Sequence, residues 1–452
     1  MFNFAFREKQ KKAFFGGGQG LIYIDIFSEK KNKIYCCMKK VFLKILLFFC
    51  IISCSFGKMQ KENPTIDVLN SVDNYNKVYF SDYFSSIELI PLETNENCLL
   101  DIIPSPSVIL NDSIILFSVT NRLYVFDRTG KFLNQVGERG QGPNEYIFIS
   151  DFFLNKDNSN IYITDLVKVL EYNVNGTFVS SFMKPVVDSE PLSYCSYIGE
   201  NIFIGQKNYN GTNECKYYLF NNNGVIVKCF PNYILFNKKD QSLSTIDGSL
   251  IPVWVDNQLF LKDFINDTIY TYTNSILQPA YIFDFGKYSI PKDNWNHANS
   301  KDFFIFSPGF GNLVGTPKFF FYKITIPDIF SGPKSKPTYN HLLNVYKSSD
   351  RVVYGIYNKE KSLNILLDTD DHLQKGFIND INGGLSFIPR FYAGNDIVID
   401  IWNPTDMKEM LTEAYFKTRT IKDQQAYQKL KDLLKNLKED DNPVIVVAKL
   451  KK

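Results

Sequence analysis

The chain has 452 residues, 44% of them hydrophobic, and a formal net charge of +2. Its 40 Phe and 27 Tyr residues favour strands over helices, because aromatic side chains fill a pleated, half-buried surface well, and this apolar content excludes a disordered chain. Basic and acidic residues are evenly mixed, without the basic stripe that binding to a phosphate backbone requires, so we expect no nucleic-acid partner.

A secretory leader is predicted near the N-terminus. Residues 1–37 precede a normal signal start and are interpreted as an over-extended start. The segment 38–53 then combines three lysines with an apolar run at 45–52, which is too short to span a bilayer of about 30 Å. The sequence IISC, ending at Cys54, resembles the bacterial lipobox, so Cys54 is the predicted site of lipid attachment. A plain signal peptide with an incidental cysteine is the alternative.

Removal of the leader changes the charge of the chain. Ten of the 50 basic residues and three of the 48 acidic residues lie in 1–53, so the remaining 40 and 45 give a formal charge of −5. Residues 54–80 follow the leader and are polar. They are predicted to form a tether between the lipid and a folded domain.

One strand–turn–strand unit recurs along the chain. The first copy, LYVFDRTGKFLNQVG, occupies residues 123–137, and further copies follow at 169–182, 217–230 and 267–283. The turn glycines of the first three copies, spaced by 46 and 48 residues, are Gly130, Gly176 and Gly224. A period of about 40–50 residues with several strands per repeat is typical of β-propeller blades.

The repeat is less regular in the second half of the chain. Residues 284–350 are predicted to form a long insertion, since bare loops of that length are uncommon in compact domains. A fifth repeat follows at 351–377, and a sixth begins with strands at 385–388 and 397–402. Apolar residues at helical spacing over 404–440 then predict a helical insertion.

The two ends of the chain are predicted to close a ring. The strand at 85–93 has no hairpin partner of its own, while the sixth repeat ends in a strand at 443–450 and lacks one strand. A sheet that combines both would leave no open edge. We therefore predict an all-β fold for residues 81–452: a six-bladed β-propeller of four-stranded antiparallel blades, with the helical insertion in its last blade.

Five motifs carry a family resemblance across nearly all of the exported chain. They are IELIPLET at 87–94, the hairpin at 123–137, GERGQGPNEY at 137–146, DTIY at 267–270 and NPVIVVAKL at 442–450. Together they resemble the six-bladed β-propeller lipoproteins common in gut Bacteroidetes, relatives of the NHL-type propellers. The resemblance implies an exported propeller of largely unassigned function, for which ligand binding is inferred more often than catalysis.

The resemblance also implies a place in the cell envelope. Many surface-exposed lipoproteins of these bacteria carry acidic residues just after the lipidated cysteine, whereas Ser55-Phe56-Gly57-Lys58 follow Cys54 here. We therefore expect a lipid anchor in the outer membrane, with the periplasmic side favoured over the cell surface.

Cysteine and histidine give little support for a metal site. Export would permit disulfides, but the cysteines beyond Cys54 are predicted to be buried free thiols; they are Cys98, Cys195, Cys215 and Cys229. They contain no C-x-x-C pair, and none of His297, His341 and His372 has a second histidine or cysteine at metal-binding spacing. No metal and no cofactor are predicted.

The glycine-rich stretch 137–146 is the densest candidate binding loop. Such loops cradle phosphate where a strand meets a helix N-terminus, but strands flank this one and Pro143 removes a backbone donor. An inter-blade crossover with positive φ at its glycines is the favoured interpretation. If the loop binds a ligand, Arg139 and Glu145 are the polar groups and Tyr146 is the stacking face.

No catalytic constellation is evident, so catalytic residues are not assigned. A G-x-S-x-G elbow is absent, and the adjacent acids Asp370-Asp371 and Asp440-Asp441 are interpreted as solvated turn residues rather than the opposed acids of a glycosidase. The leading hypothesis is a binding or scaffolding module that holds a peptide, glycan or partner protein at one end of the central channel. A hydrolase or lyase with its site there is the alternative.

Overall fold

The structure is a computed structural model that describes most of the chain from residue 63 onward. The described residues are 63–100, 107–119, 121–155, 159–207, 212–233, 235, 251–262, 266–291, 301–306, 312–334, 338–340, 345–347 and 351–452. The predicted leader and Cys54 lie outside them. No helix within these ranges is long and apolar enough to cross a membrane.

The described residues as far as Pro231 contain seventeen strands, which belong to the N-terminal segment, blades 1–3 and a small ribbon. The N-terminal segment has β1 (Thr65–Asp67), a 3₁₀ turn (Leu69–Ser71), β2 (Tyr75–Asn76), α1 (Phe80–Tyr83) and β3 (Phe84–Pro91). Blade 1 has β4 (Ser107–Leu110), β5 (Ile114–Val119), β6 (Arg122–Asp127) and β7 (Phe132–Gln135). Blade 2 has β8 (Asp151–Leu154), β9 (Asn160–Thr164), β10 (Lys168–Asn173) and β11 (Phe178–Met183), and a small ribbon follows, β12 (Val186–Val187) with β13 (Glu190–Pro191). Blade 3 has β14 (Cys195–Gly199), β15 (Ile202–Gln206), β16 (Cys215–Asn221) and β17 (Ile226–Pro231).

The remaining sheets complete the fold. Blade 4 has β18 (Ile251–Val255), β19 (Gln258–Lys262), β20 (Thr268–Thr273) and β21 (Ile276–Asp284), followed by a 3₁₀ turn (Gly286–Tyr288). Blade 5 has β22 (Ile305–Phe306), β23 (Leu313–Gly315), β24 (Phe319–Thr325), a ribbon of β25 (Thr338–Asn340) and β26 (Val345–Lys347), and then β27 (Val352–Asn358) and β28 (Leu363–Leu367). Blade 6 has β29 (Phe391–Gly394), β30 (Ile397–Trp402), the helices α2 (Pro404–Met410), α3 (Glu413–Lys417) and α4 (Gln424–Asn436), and β31 (Val444–Leu450).

Six mainly four-stranded antiparallel sheets thus follow one another as the blades of a six-bladed β-propeller, which confirms the predicted fold. The innermost strands of neighbouring blades contact one another, as β23 does with β18 and β29, so these strands surround the central axis. Because consecutive strands reverse direction, the turns that follow the first and third strands of each blade lie at one end of the ring, and the connections between blades lie at the other. We call these the turn end and the loop end.

The recurring turns explain why each blade forms where it does. In blade 1, Oδ1 of Asp127 accepts backbone N–H groups from Thr129 and Lys131, at 2.8 and 3.1 Å. Gly130 has a φ of +89°, and a Cβ there would lie 2.1 Å from the carbonyl oxygen of Pro91. Only glycine fits this turn, since a side chain would be both strained and obstructed.

The chain ends close the ring as predicted. β3 pairs with β31 in antiparallel register, from Phe84 opposite Leu450 to Pro91 opposite Val444, and becomes the fourth strand of blade 6. Both partners bury apolar side chains, with Ile90 3% exposed and Ile445 fully buried. The closure therefore joins the first and last blades through backbone hydrogen bonds and a shared core.

The prediction of a strand at 385–388 is wrong. The first strand of blade 6 is β29, and Phe387 forms only an isolated bridge with Phe377. Phe387 is fully buried, with its ring centroid 5.1 Å from that of Phe84, and Pro389 lacks the N–H that a continuing strand needs. The apolar run therefore marks burial and not strand pairing.

The fifth blade also differs from its prediction. β23 and β24 lie within 284–350, so part of the expected insertion is blade. The aromatic run at 319–322 supplies β24, and Phe320 packs edge-to-face on Phe260 of blade 4 at 5.5 Å. After β28, residues 368–377 are not a strand but the beginning of a long connection to blade 6.

The described part of the predicted tether is docked on the propeller. β1 extends blade 4 by pairing in parallel with β21, and β2 extends blade 5 by pairing in parallel with β28. Ile66 and Val68 are fully buried between these contacts. From residue 63 onward the segment is therefore a part of the fold, because its apolar residues pack into the core between blades 4 and 5.

One of the predictions for cysteine is wrong. Cys215 and Cys229, on the adjacent strands β16 and β17, form a disulfide with a Cα–Cα distance of 5.9 Å. Cys98 and Cys195 are buried free thiols, as predicted. Sequence spacing alone does not pair cysteines, whereas the strand register brings these two together.

Candidate functional site

The predicted binding residues do not converge on a pocket. Tyr146 is fully buried, and its hydroxyl donates to the carbonyl oxygen of Val136 at 3.1 Å, so it offers no stacking face. Oε2 of Glu145 accepts the backbone N–H of Gly142 at 2.8 Å. Arg139 is exposed, and its backbone bridges to that of Tyr146. These contacts stabilise the conformation of the loop and do not form a binding surface.

The neighbouring blade also holds this loop in place. Nζ of Lys168 donates to the carbonyl oxygen of Gly142 at 2.9 Å, and the hydroxyl of Tyr172 donates to that of Asn144 at 2.7 Å. Gly137 has a positive φ of +59°, as expected for a crossover, whereas Gly140 and Gly142 do not have positive φ. The loop therefore acts as a fixed connection between blades 1 and 2.

Metal chemistry has no visible site either. In the part of the chain that the structure describes, no three His, Cys, Asp or Glu side chains come together in a way that would hold a metal ion. His297 and His341 lie outside the described residues. His372 lies on the connection between blades 5 and 6, where Nε2 is 3.0 Å from Oγ1 of Thr418.

A concave surface at the turn end, between blades 3 and 4, combines aromatic and polar side chains. We call it the turn-end groove; its volume is about 570 Å³, within the usual range for ligand pockets. Its lining includes Ile198, Trp254, Asp256, Asn257, Gln258, Leu259, Tyr272 and Asn274. None of these residues was predicted from the sequence to belong to a binding site.

The aromatic floor of the turn-end groove follows from strand register. In β18, Val253 and Val255 are buried on one face, so Trp254 points to the other face and is 38% exposed. Trp254 lies opposite Leu259, which lies opposite Tyr272, so the three form one row across β18, β19 and β20. An exposed tryptophan between two buried valines is the sequence signal that could have marked this surface.

Polar side chains occupy the rim of the turn-end groove. Asp256 and Asn274 lie in the two turns that end the row, each with a φ of +50°. Oδ1 of Asp256 accepts the hydroxyl of Tyr392, from blade 6, at 3.0 Å. Burial and this hydrogen bond raise the pKa of Tyr392 to about 12, so the phenol stays protonated. Oδ2 of Asp256 has no partner within the described residues and can accept from a ligand.

A second concave surface, of about 530 Å³, lies at the loop end beside the helical insertion. Its lining includes His372, Met410 and Tyr415, and the ring centroids of His372 and Tyr415 are 4.5 Å apart. Behind it, Asp370 accepts from Arg419 and from Ser386, each at 2.9 Å. This network holds the helices against the blade.

Comparisons with known proteins agree with the fold and leave the activity open. A family described as "Domain of unknown function (DUF4934)" matches residues 63–449. A Bacteroides fragilis protein whose name proposes export is 18% identical, with a TM-score of 0.59 over 86% of this chain and 99% of that one. A DUF4221 family member from Bacteroides vulgatus is 10% identical, with a TM-score of 0.46 over 81% and 97%. No curated protein matches the sequence significantly.

Proposed function

We propose that this chain, which belongs to the DUF4934 family, is an envelope-located binding module whose turn-end groove holds a glycan chain. The observation that carries the proposal is the row of Trp254, Leu259 and Tyr272 beneath the polar turn residues. Of the three ligand classes expected from sequence, this lining favours the glycan over a peptide or a partner protein.

The chemistry of the groove suits a polyhydroxylated ligand. A sugar ring has apolar C–H faces and a polar circumference, so it matches a flat aromatic surface bordered by amides and a carboxylate. Trp254 and Tyr272 supply the surface, while Asp256, Asn257 and Asn274 supply acceptors and donors at its edge. A few placed polar groups above an apolar floor are the usual composition of a specific pocket.

Binding is favoured over the alternative of a hydrolase or lyase. Glycoside hydrolysis uses two carboxyl groups that flank the scissile bond. Asp256 is the one acid among the described residues that line the turn-end groove. A single carboxylate orients a hydroxyl group but does not provide both acid and base.

Export and lipid attachment through Cys54 complete the proposal. The leader at 38–53 supports export, and a disulfide between Cys215 and Cys229 suits an oxidising compartment. The name of the similar Bacteroides fragilis protein agrees with export. The proposed location is the outer membrane, with the propeller on the periplasmic side.

Direct binding to defined oligosaccharides tests the proposal. Full-length protein in detergent is titrated with cellohexaose, mannohexaose and chitohexaose, with saturation-transfer NMR as the readout. Trp254→Ala is expected to weaken binding about tenfold or more, equivalent to about 1.4 kcal/mol. Tyr79→Ala removes an aromatic side chain that is 43% exposed elsewhere, and should leave binding unchanged.

The outcomes separate the hypotheses. Absence of binding to all three oligosaccharides, or equal binding by Trp254→Ala and the wild type, would contradict a glycan site at this groove. Chromatography of the same mixtures after incubation tests the alternative, because an enzyme would produce shorter chains.

A further inference from the structure

Three hydrogen-bond donors meet at the loop end of the junction between blades 5 and 6. Lys323 in β24 lies directly opposite Tyr354 in β27, so both side chains project from the same face of blade 5. Arg390 immediately precedes β29 of blade 6, and its charge acts on both Lys323 and Tyr354. A small cavity bordered by Tyr354 and by the neighbours of Arg390, Ile388 and Pro389, confirms that these segments adjoin.

The carboxylate of Asp400 lies beside Arg390 and already accepts several hydrogen bonds. Asp400, whose side chain is 3% exposed, accepts Nε of Arg390 at 2.8 Å. It also accepts the backbone N–H groups of Ile388 and Ile401, each at 2.8 Å. Arg390 is thereby fixed through Nε, while its terminal Nη groups make no hydrogen bond within the described residues.

The other two donors have no acceptor among the described residues. Neither Nζ of Lys323 nor the hydroxyl of Tyr354 makes a hydrogen bond or ion pair within the part of the chain that the structure describes. Lys323, Tyr354, Arg390 and Asp400 together thus comprise two cations, one carboxylate and a phenol. The side chain of Arg390 is 39% exposed, so a solute can reach it.

The pKa shifts agree with an excess of positive charge. Burial, and then repulsion from Arg390, lower the pKa of Lys323. Burial raises the pKa of Tyr354, which keeps the phenol a neutral donor. Desolvation opposes the charge of Arg390, but attraction to the carboxylate of Asp400 outweighs it and raises the pKa of Arg390. An anion placed among these groups would relieve the repulsion between the two cations.

We propose that Lys323, Tyr354 and the Nη groups of Arg390 form a binding site for an oxyanion. The two Nη groups present the fork that suits two oxygens of a carboxylate, phosphate or sulfate, while Lys323 adds a point charge and Tyr354 a third donor. This site is at the opposite end of the propeller from the turn-end groove, so it does not depend on the glycan proposal.

Thermal unfolding with three probe anions tests the site. The Tm of the full-length protein is measured in sodium phosphate, sulfate and acetate, with sodium chloride keeping the ionic strength constant. Phosphate and sulfate also stabilise proteins by exclusion from their surface, which does not saturate. We expect a saturable rise in Tm for at least one anion. The anion that gives half of its maximal rise in Tm at the lowest concentration identifies the chemical class of the ligand.

Lys323→Met is the decisive variant. Without anion, its Tm is expected to exceed that of the wild type, because a desolvated cation beside Arg390 has been replaced by an apolar side chain. Its half-saturating anion concentration should rise about tenfold or become unmeasurable. Lys361→Met removes the same charge from an exposed turn of blade 5, so it should bind like the wild type.

Tyr354→Phe provides a second readout if Lys323→Met does not fold. It keeps the packing and removes one donor, so isothermal titration should show weaker binding of the identified anion with little change in Tm. A wild type without saturable stabilisation by any of the three anions overturns the proposal. So does a Lys323→Met or Tyr354→Phe protein that binds as tightly as the wild type.

Discussion

Arg419 and Asp370 form an ion pair of 2.9 Å that joins the helical insertion to the connection between blades 5 and 6. Their side chains are 7% and 1% exposed, so both charges are buried. Ser386 also donates to Asp370, and the guanidinium of Arg419 lies 4.2 Å from the ring centroid of Tyr415. The pair therefore holds α3 and its flanking residues to the propeller.

Asp370→Asn is expected to destabilise the protein by about 3–5 kcal/mol, because removal of one partner leaves Arg419 buried without its counter-charge. Urea unfolding followed by circular dichroism measures the change. Asp371→Asn is the matched control: the neighbouring carboxylate is 83% exposed and pairs with Lys77 at the surface, so little change is expected. Equal shifts of the two midpoints would contradict a structural role for the buried pair.

Lys359 should make stability depend on pH. Its Nζ donates to the carbonyl oxygen of Thr316 at 2.6 Å, and burial lowers its pKa to about 7, with partial compensation by Asp256. The unfolded chain keeps its proton up to about pH 10.5, so the unfolded state binds more protons between these values. The free energy of unfolding should therefore rise from pH 7 to pH 10.

Lys359→Met removes this titration and should flatten that rise, as measured by urea midpoints at several pH values. Lys361→Met, an exposed lysine two residues away, should retain the wild-type slope. A slope that survives in Lys359→Met would assign the pH dependence to another group.

The disulfide between Cys215 and Cys229 should contribute measurably to stability. It closes a loop with a sequence separation of 14, for which loop-closure entropy predicts a stabilisation of about 3 kcal/mol. Dithiothreitol or Cys229→Ser should lower the urea midpoint accordingly, and peptide mapping by mass spectrometry should identify the link. A variant with Cys98 and Cys195 replaced by Ala keeps the disulfide, so its response to dithiothreitol should remain.

Lipid attachment at Cys54 predicts a change of cell fraction. Cys54→Ser removes the acceptor thiol, so the protein should move from the membrane fraction to the soluble periplasmic fraction. Immunoblotting of the fractions is the measurement, with Cys98→Ala as a cysteine control. Equal membrane association of Cys54→Ser and the wild type would argue against the anchor.

The fold was predictable because its signals are local. A strand–turn–strand unit needs only alternating side chains and a turn residue, as at Gly130, and both are visible within about fifteen residues of sequence. The closing strand was predictable because β3 has no local partner. The cap of α2 was not identified from the sequence: the side chain of Asn403 accepts the backbone N–H of Thr405.

The surroundings of the polar and aromatic side chains depend on partners that lie far apart in the chain. The sequence predicts Asp370 as a solvated turn residue. In the structure its carboxylate is buried and pairs with Arg419, which lies 49 residues later in the chain. Tyr146 seemed available for stacking, yet the fold buries it completely.

Sequence alone therefore determined the ring and its closure, since backbone pairing depends on short-range patterns. Only the tertiary structure determined which polar groups lie at each end and which remain unpaired. Burial and charge pairing are properties of neighbours in space, and in a ring of six blades those neighbours come from different repeats.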